Sequence, residues 1–392
     1  MLEEEIIQDY YAKIPELLGQ PRVSLLIGAG CSACAGLPFM SGLTNQICDH
    51  FKPDNATDAD EEVAYRLLQE IKVRFDGIDT VSIEDFLSEI QDIDAILQRQ
   101  NKKGIKNPTY PSNSGGYSIL HTQLLLKQIK EEIRGILGKE IKTIKFHRSF
   151  CKAIHSDLVK GRNRTKHPVN YFILNYDTLI EDALALEGIS FNDGFVGGAT
   201  AWWDHLHFGG EEFVLGGNRV IEARIYKLHG SIDWIKPEKS KFPIRMRLTL
   251  PKDEIIGKGE PVVIFPSSTK YKETQYDPYA QMMMSFRKYL TITENHVLAI
   301  MGYGFNDEHI NIEIHDAIRN SSGALSIVIF YGGDKLTSCL ESWLSEDDLS
   351  SRILILGKRG IWKEGGEILR ASRDIEWYKF ENICDALNGV IS

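Results

Sequence analysis

The stretch VSLLIGAGCSACAGLP, residues 23–38, decides how the rest of this chain is read. Val23 to Ile27 are apolar or small and run directly into Gly28, Ala29, Gly30, Cys31 and Ser32. A strand that ends in a glycine-rich turn leaves backbone N–H groups unshielded, and such groups can hold a dinucleotide pyrophosphate. A hydride-transferring domain would continue to a second strand carrying an acidic residue about 20 positions on. Here Leu37–Pro38 intervenes, and Thr44–Phe51 leads into a polar, helical region. Asp49 has the right spacing, but no strand precedes it. The turn is expected to bind a dinucleotide in something other than an ordinary dehydrogenase.

With 392 residues, the chain can bury a substantial core. A formal net charge of -10 argues against broad, nonspecific DNA binding, which depends on neutralising phosphates. One local basic run gathers Lys139, Lys142, Lys145, Arg148, Lys152, Lys160, Arg162, Arg164 and Lys166. It reads first as a solvated face, with phosphate or partner binding as the alternative, so nucleic acid is expected only indirectly or weakly. The opening MLEEEIIQDYY has neither a basic n-region nor an apolar signal core, and no segment nears the ~20 apolar residues of a membrane span. A cytoplasmic location and no membrane contact are expected. Cys31, Cys34, Cys48, Cys151, Cys339 and Cys384 are scattered, which gives no reason to invoke disulfides. Cys31 and Cys34 form a CxxC without a second pair to complete a zinc site. Small-residue packing is the first reading and redox chemistry the second.

Periodicity divides the chain further. Glu3 to Leu18 places Ile6, Ile7, Tyr10, Tyr11, Ile14, Leu17 and Leu18 on one helical side. This leader, residues 1–20, is expected to cap the sheet or to make an oligomer contact. Residues 52–166 read as an almost wholly helical insertion, with Ser82 and Asp85 offering a capping box and 100–116 a loop. Strands and helices alternate from Pro168 onward, ending in a helix around Gly366–Leu387. The expected fold class is α/β: a Rossmann-like, mostly parallel sheet with helices on both faces and a large helical insertion. Residues 21–51 and 167–392 form its nucleotide-binding part.

In such a sheet, ligands bind beyond the carboxyl ends of the strands. Predicted strand ends carry Gly28, Ala29, Gly30 and Ser32; then Asn175, Tyr176 and Asp177; then His229–Gly230; then Gly302, Tyr303, Gly304, Phe305, Asn306 and Asp307. Asn175 and Asp177 share one side of an extended strand end, because side chains alternate with a period of two. A neutral amide can orient a ribose hydroxyl or a water, and a carboxylate can accept from a carboxamide. His229 is the best general-base candidate, since an imidazole titrates near working pH. Ser267 and Ser268 supply further polar wall. His205, His207, His309 and His315 are read as wall, structural or solvent-facing residues.

Taken together, these motifs resemble a sirtuin-type, SIR2-like domain. Gly28-Ala29-Gly30-Cys31-Ser32 and Gly36-Leu37-Pro38 match its first motif, and Asn175 with Asp177 its second. His229-Gly230 matches its catalytic His-Gly, and Gly302-Tyr303-Gly304 its later ribose turn. The chain departs from protein-deacylating members in having no Cys between residues 230 and 300, so neither zinc nor another metal site is expected. Phe39-Met40-Ser41 also stands where those members carry Asp-Phe-Arg. The leader and the insertion instead resemble bacterial SIR2-like proteins of antiphage systems, which destroy NAD+. Within that group the chain is similar to the short subunit that works with a HerA-like hexameric ATPase.

The resemblance implies an NAD+ glycohydrolase with Asn175 and His229 catalytic. Gly28, Ala29, Gly30, Ser32, Asp177, Ser268, Gly302, Gly304 and Asn306 would bind NAD+, which is the substrate. A homo-oligomer and the ATPase are the implied partners. The competing readings are an NAD-dependent protein deacylase, a nuclease or nucleic-acid-binding subunit, and a noncatalytic assembly protein that retains the cleft.

Overall fold

The computed structural model describes residues 2–78, 81–112, 115–139, 141–158, 167–209, 221–237, 240–247, 260–263, 277–364 and 366–389. The quoted stretch opens with β1, Val23–Ile27, all five residues of which are buried. Its continuous apolar run suits a strand flanked on both sides in a parallel sheet covered on both faces. β1 pairs in parallel with β12 (His296–Met301) on one side and β4 (Val169–Ile173) on the other.

Outward from β4 lie β8 (Ala223–Lys227) and the short β5 (Phe191–Asn192), both parallel to their neighbours. Outward from β12 lie β13 (Leu325–Tyr331) and β14 (Ile353–Gly357), again parallel. An antiparallel edge of β15 (Gly360–Lys363) and β16 (Gly366–Arg370) completes the nine-stranded sheet. Strand order therefore runs in opposite directions on either side of the β1–β12 pair. A crevice at the carboxyl ends is expected at such a reversal.

Alternation along the strands feeds two cores. Leu25, Tyr171, Ile173 and Ile225 face one cluster with Phe150, Ile180, Phe380 and Ile383 from the covering helices. Leu26, Phe172, Tyr226 and Leu298 face the other, against Met282, Phe286, Ile310, Ile314 and Trp343. The leader helix Leu2–Leu18 turns Ile7, Ile14 and Leu18 into the first cluster. It is fastened to the C-terminal part by Tyr11 Oη donating to the Asn382 carbonyl at 2.9 Å and by an Arg373–Glu4 ion pair. The apolar side of the leader is thus taken up by the chain's own core.

The helices Ala59–Arg74, Ile83–Lys102 and Ile119–Leu137 build a third cluster, with Leu67, Leu68, Ile71, Leu87, Ile90, Leu125, Ile129 and Ile133 buried. Ser82 and Asp85 form the expected capping box. The Thr44 hydroxyl accepts from the Ile83 N–H at 2.8 Å, tying two helices together. Helix Met40–His50 contributes Leu43 and Ile47 to the helical cluster, whereas helix Lys145–Lys152 puts Phe150 and Cys151 beneath the sheet. Tyr176 and Leu179, from the sheet's carboxyl edge, also belong to the helical cluster, so the insertion sits against that edge.

A smaller antiparallel sheet comprises β6 (Phe195–Gly197), β7 (Thr200–Trp203), β9 (Gly230–Lys236), β10 (Ile244–Met246) and β11 (Glu260–Val263). A two-stranded ribbon, β2 (Thr109–Tyr110) with β3 (Tyr117–Ser118), forms within what reads as a loop in sequence.

The terminal helix expected over 366–387 is shorter, Phe380–Leu387, because β15 and β16 precede it. A tight turn between Gly357 and Gly360 returns the chain onto β14. A Cβ on Gly360 would lie 2.3 Å from the Leu369 carbonyl oxygen, so the hairpin depends on that bare backbone.

Because Ile14 is fully buried at the joint between leader and sheet, Ile14→Ala is expected to destabilise the chain by about 2–5 kcal/mol. A denaturant midpoint shift read by far-UV circular dichroism checks this, and an unchanged midpoint would mean the leader is not part of the cooperative fold.

Candidate active site

The loops that follow β1, β4, β8 and β12 emerge at one edge because these strands are parallel and adjacent. After β1 the chain enters a 3₁₀ turn, Ala29–Ala35, closed by Gly36 at φ 90°. The turn after β12 meets it backbone to backbone. Gly28 N–H donates to the Met301 carbonyl and Gly30 N–H to the Gly302 carbonyl, each at 2.9 Å. A Cβ on Gly28 would lie 2.4 Å from the Gly302 oxygen, and one on Gly302, at φ +66°, 2.5 Å from the Cys31 nitrogen. Three N–H groups of the first turn, those of Gly28, Gly30 and Cys31, are therefore engaged inside the protein. Close docking of the two turns is the visible use of Gly28, Gly30 and Gly302. Gly304 is different: it is exposed, and an added Cβ would meet only the Asn306 side chain, at 3.5 Å.

Ser32 links the first turn to β4. Its Oγ accepts from Asn175 Nδ2 at 2.8 Å and donates to Asp177 Oδ2 at 2.7 Å. The other Asp177 oxygen accepts from the Leu179 N–H at 3.1 Å, at the start of helix Leu179–Leu186. Ser32, Asn175 and Asp177 are all buried. Both of Asp177's oxygens are thus occupied, while Asn175 Oδ1 is buried with no protein partner among the described residues. A buried amide oxygen without a partner is costly, and a ligand hydroxyl or water would satisfy it.

His229 leaves the end of β8 and points Nε2 at Asp307 Oδ2, 3.0 Å away. Asp307 Oδ1 meanwhile accepts from the His309 and Ile310 N–H groups at the start of helix Glu308–Asn320. A carboxylate can only accept, so Nε2 carries a hydrogen, and in the neutral imidazole Nδ1 then holds the lone pair. Tyr303 Oη donates to the Asp307 carbonyl at 3.0 Å, and Asn311 Nδ2 to that of Phe305 at 2.9 Å. The latter bond helps to hold Phe305 at φ 59°, a conformation that side chains other than glycine rarely adopt. Asn306 is exposed beside this turn, and Ser268 lies outside the described residues, as does Ser267.

Three residues at this edge, His147, Lys227 and Glu181, escape a reading of the sequence, as does the pairing that Asp307 makes. Asp307 looks like a helix cap and is one; its pairing with His229 arises between strands distant in sequence. His147, on helix Lys145–Lys152, is buried beneath the first turn, with Nδ1 unpartnered among the described residues. Burial pulls its pKa down to about 4, opposed by the Asp177 charge and the Cys31 carbonyl. Lys227 and Glu181 form a buried ion pair at 3.5 Å. Burial pushes Glu181 up to about 7, with Lys227 pulling the other way and Asp233 adding to the rise. No sequence pattern marks any of these pairings, because each partner comes from a different element.

The CxxC is packing material. Burial holds the Cys31 thiol well above its ordinary pKa and pushes Cys34 up to about 12, so neither is a ready thiolate. Cys34 Sγ donates to the Cys31 carbonyl at 3.4 Å. Among the described residues, no three of His, Cys, Asp and Glu are grouped to hold a metal ion, and no helix is long and apolar enough to cross a membrane. His205 and His207 lie on the short helix His205–Gly209, and His315 Nε2 lies 2.8 Å from Glu346.

Residues 169–349 match the SIR2-like domain. This span begins at β4 and contains Asn175, Asp177, Lys227, His229 and Asp307, while the Gly28–Ser32 turn lies ahead of it. Among solved structures, the chain is similar to a mutant Sir2 homologue in complex with ADP-ribose, at 11% identity and TM-score 0.38, over 96% of this chain and 95% of that one. A second similar structure is a triple-mutant Sir2 homologue with 2′-O-acetyl ADP-ribose, at 11% identity and TM-score 0.41, over 96% and 95% of the two chains. No curated protein matches the chain. The matched span therefore holds both the Asn175–Asp177 turn and the His229–Asp307 pair. The part of the chain before it supplies Ser32 and His147.

Gly302→Ala is expected to destabilise by more than about 1 kcal/mol, and Gly304→Ala by less than about 0.5 kcal/mol, in thermal melts. Equal effects would contradict the docking of the two turns. A pKa depressed in the fold, as for His147, gives stability that is present above the unfolded value and lost as pH falls toward the folded one. Wild type should therefore lose melting temperature between about pH 6.5 and about pH 4 more steeply than His147→Phe. Parallel curves would show that His147 is not buried in its neutral form.

Proposed function

We propose that this chain hydrolyses NAD+ at the bond between nicotinamide and ribose, releasing nicotinamide and ADP-ribose. The observation that carries the reading is the Asn175–Ser32–Asp177 chain, which leaves Asn175 Oδ1 buried and, among the described residues, unpartnered, next to the strand β8 that His229 follows. In the reaction the electron pair of the C1′–N1 bond passes to the nicotinamide ring nitrogen, and the ring leaves neutral. Positive charge develops on C1′ and the ribose ring oxygen. A water oxygen bonds to C1′, and its proton passes to Nδ1 of His229, whose Nε2–H stays on Asp307. Asn175 would hold the water or a ribose hydroxyl through Oδ1. Asp177, occupied by Ser32 and the Leu179 N–H, keeps Ser32 and Asn175 in register and offers its remaining lone pairs to the carboxamide.

The matched SIR2-like domain supports NAD-related chemistry of this general kind. The motif resemblance supports the wider setting: an effector that depletes NAD+ in antiphage defence, assembled as a homo-oligomer with a HerA-like hexameric ATPase. Gly28, Ala29, Gly30, Gly302, Gly304 and Asn306 would line the nucleotide-binding edge. Removing a general base of this type costs ~100-fold or more in rate. His229→Ala and Asn175→Ala are each expected to lower nicotinamide release by at least ~100-fold with an unchanged circular dichroism spectrum. Following free nicotinamide chromatographically, without any acylated lysine present, also separates hydrolysis from deacylation. Normal turnover by H229A would sink the assignment.

A further inference from the structure

Lys227 is one of the most deeply buried charged groups in the chain, at 2% exposure. A lysine is rarely kept out of water unless its ammonium has strong partners. Its Nζ donates to the backbone carbonyl of Asp177 and pairs with Glu181 Oε1 at 3.5 Å. That carbonyl lies just ahead of helix Leu179–Leu186 and has no intrahelical role, so the lysine supplies its partner.

Two further bonds run between the same segments. Ile232 N–H donates to the Tyr176 carbonyl at 2.9 Å, and Ser231 Oγ donates to it at 3.3 Å. Residues 227–232 thus grip the backbone of the 176–177 turn on either side of His229. The Asn175 and Asp177 side chains take their aim from that turn, and Lys227 precedes His229 by two residues.

We infer that Lys227 is a positioning residue which fixes the Asn175–Asp177 turn against the His229 strand, with Glu181 as the counter-charge that keeps the ammonium buried. The inference rests on the proposed NAD+ hydrolysis for its catalytic consequence, but the clamping itself does not. Glu181 contributes charge rather than aim: apart from Lys227 its carboxylate meets its own backbone N–H, and Oε2 has no hydrogen-bond partner among the described residues. Removing the lysine frees the Asp177 carbonyl. Removing only the charge of Glu181 leaves the amine on that carbonyl.

The test uses the full chain as wild type, Lys227→Met, Lys227→Arg and Glu181→Gln. Hydrogen–deuterium exchange read by mass spectrometry follows peptides covering residues 174–182, and nicotinamide release gives kcat and KM. In Lys227→Met, exchange at 174–182 should rise at least threefold while the β12–β13 peptides stay unchanged. Its kcat should fall at least tenfold with KM within threefold. Glu181→Gln should lower the melting temperature yet keep kcat within threefold, and Lys227→Arg should recover part of the lost kcat by restoring a donor. Unchanged exchange at 174–182 in Lys227→Met would overturn the clamp whether or not the chain hydrolyses NAD+. Raised exchange with unchanged kcat would overturn its catalytic role. Raised exchange in Lys227→Met, together with a wild-type chain that releases no nicotinamide, would leave the clamp standing and defeat the proposed hydrolysis.

Discussion

Two turns from distant parts of the sequence share a space that no side chain could enter. The Gly28–Ser32 turn and the Met301–Tyr303 turn lie against each other with carbonyl oxygens and Cα atoms closer than any Cβ would allow. That approach lets Gly28 and Gly30 donate to the β12 side, which fixes the first turn as a 3₁₀ segment and sets where Ser32 stands. Ser32 then orders Asn175 and Asp177 on β4's side. A side chain at any of the three glycines would push the turns apart, and the displacement would pass directly to the polar residues. The glycines at this edge thus serve the protein's own geometry first and leave whatever surface remains to a ligand.

Burial makes the polar edge unforgiving. Asn175, Asp177, His229, Asp307, Lys227 and Glu181 are all shielded from water, where an unmet hydrogen bond costs about 1–3 kcal/mol. Nearly every donor and acceptor accordingly has an assigned neighbour: Asp177 is shared between Ser32 and a helix start, and Asp307 between His229 and another helix start. These carboxylates accept from helix-start N–H groups and order catalytic candidates at once. Negative charge at a helix N-terminus is favourable, which offsets part of the cost of burying it. Among the described residues Asn175 Oδ1 and Glu181 Oε2 are left over, and of the two it is Asn175 that shares its hydrogen-bond chain with Ser32 and Asp177. An amide oxygen held out of water and unpartnered is a place where a bound hydroxyl gains more than it would on the surface.

The part of the chain that matches the SIR2-like domain contains the amide, both carboxylates and the imidazole, but not Ser32. The first strand and its turn are nevertheless at the centre of the sheet, between β12 and β4. The helical insertion lies against the same edge through Tyr176, whose hydroxyl donates to Glu84 at 2.9 Å. Movement of the insertion would therefore reach the residue lying between Asn175 and Asp177. His147 makes a similar connection from below, since it comes from the helix that returns the chain from the insertion to the sheet.

Local patterns determined much of this. Runs of buried apolar residues marked β1, β4, β12 and β13, and the Ser82–Asp85 spacing marked a helix start, because strand and helix periodicity and capping act between near neighbours in sequence. The positions of Asn175, Asp177, His229 and Gly302 at strand ends were legible for the same reason, and parallel strand direction brings such ends to one edge. Pairing was not legible. Which carboxylate meets His229, where Lys227's charge goes, and that the glycines face each other all depend on side chains and backbones separated by tens to hundreds of residues. Those contacts are chosen by the exclusion of water and by the space left after the sheet has closed. They exist only in the tertiary structure.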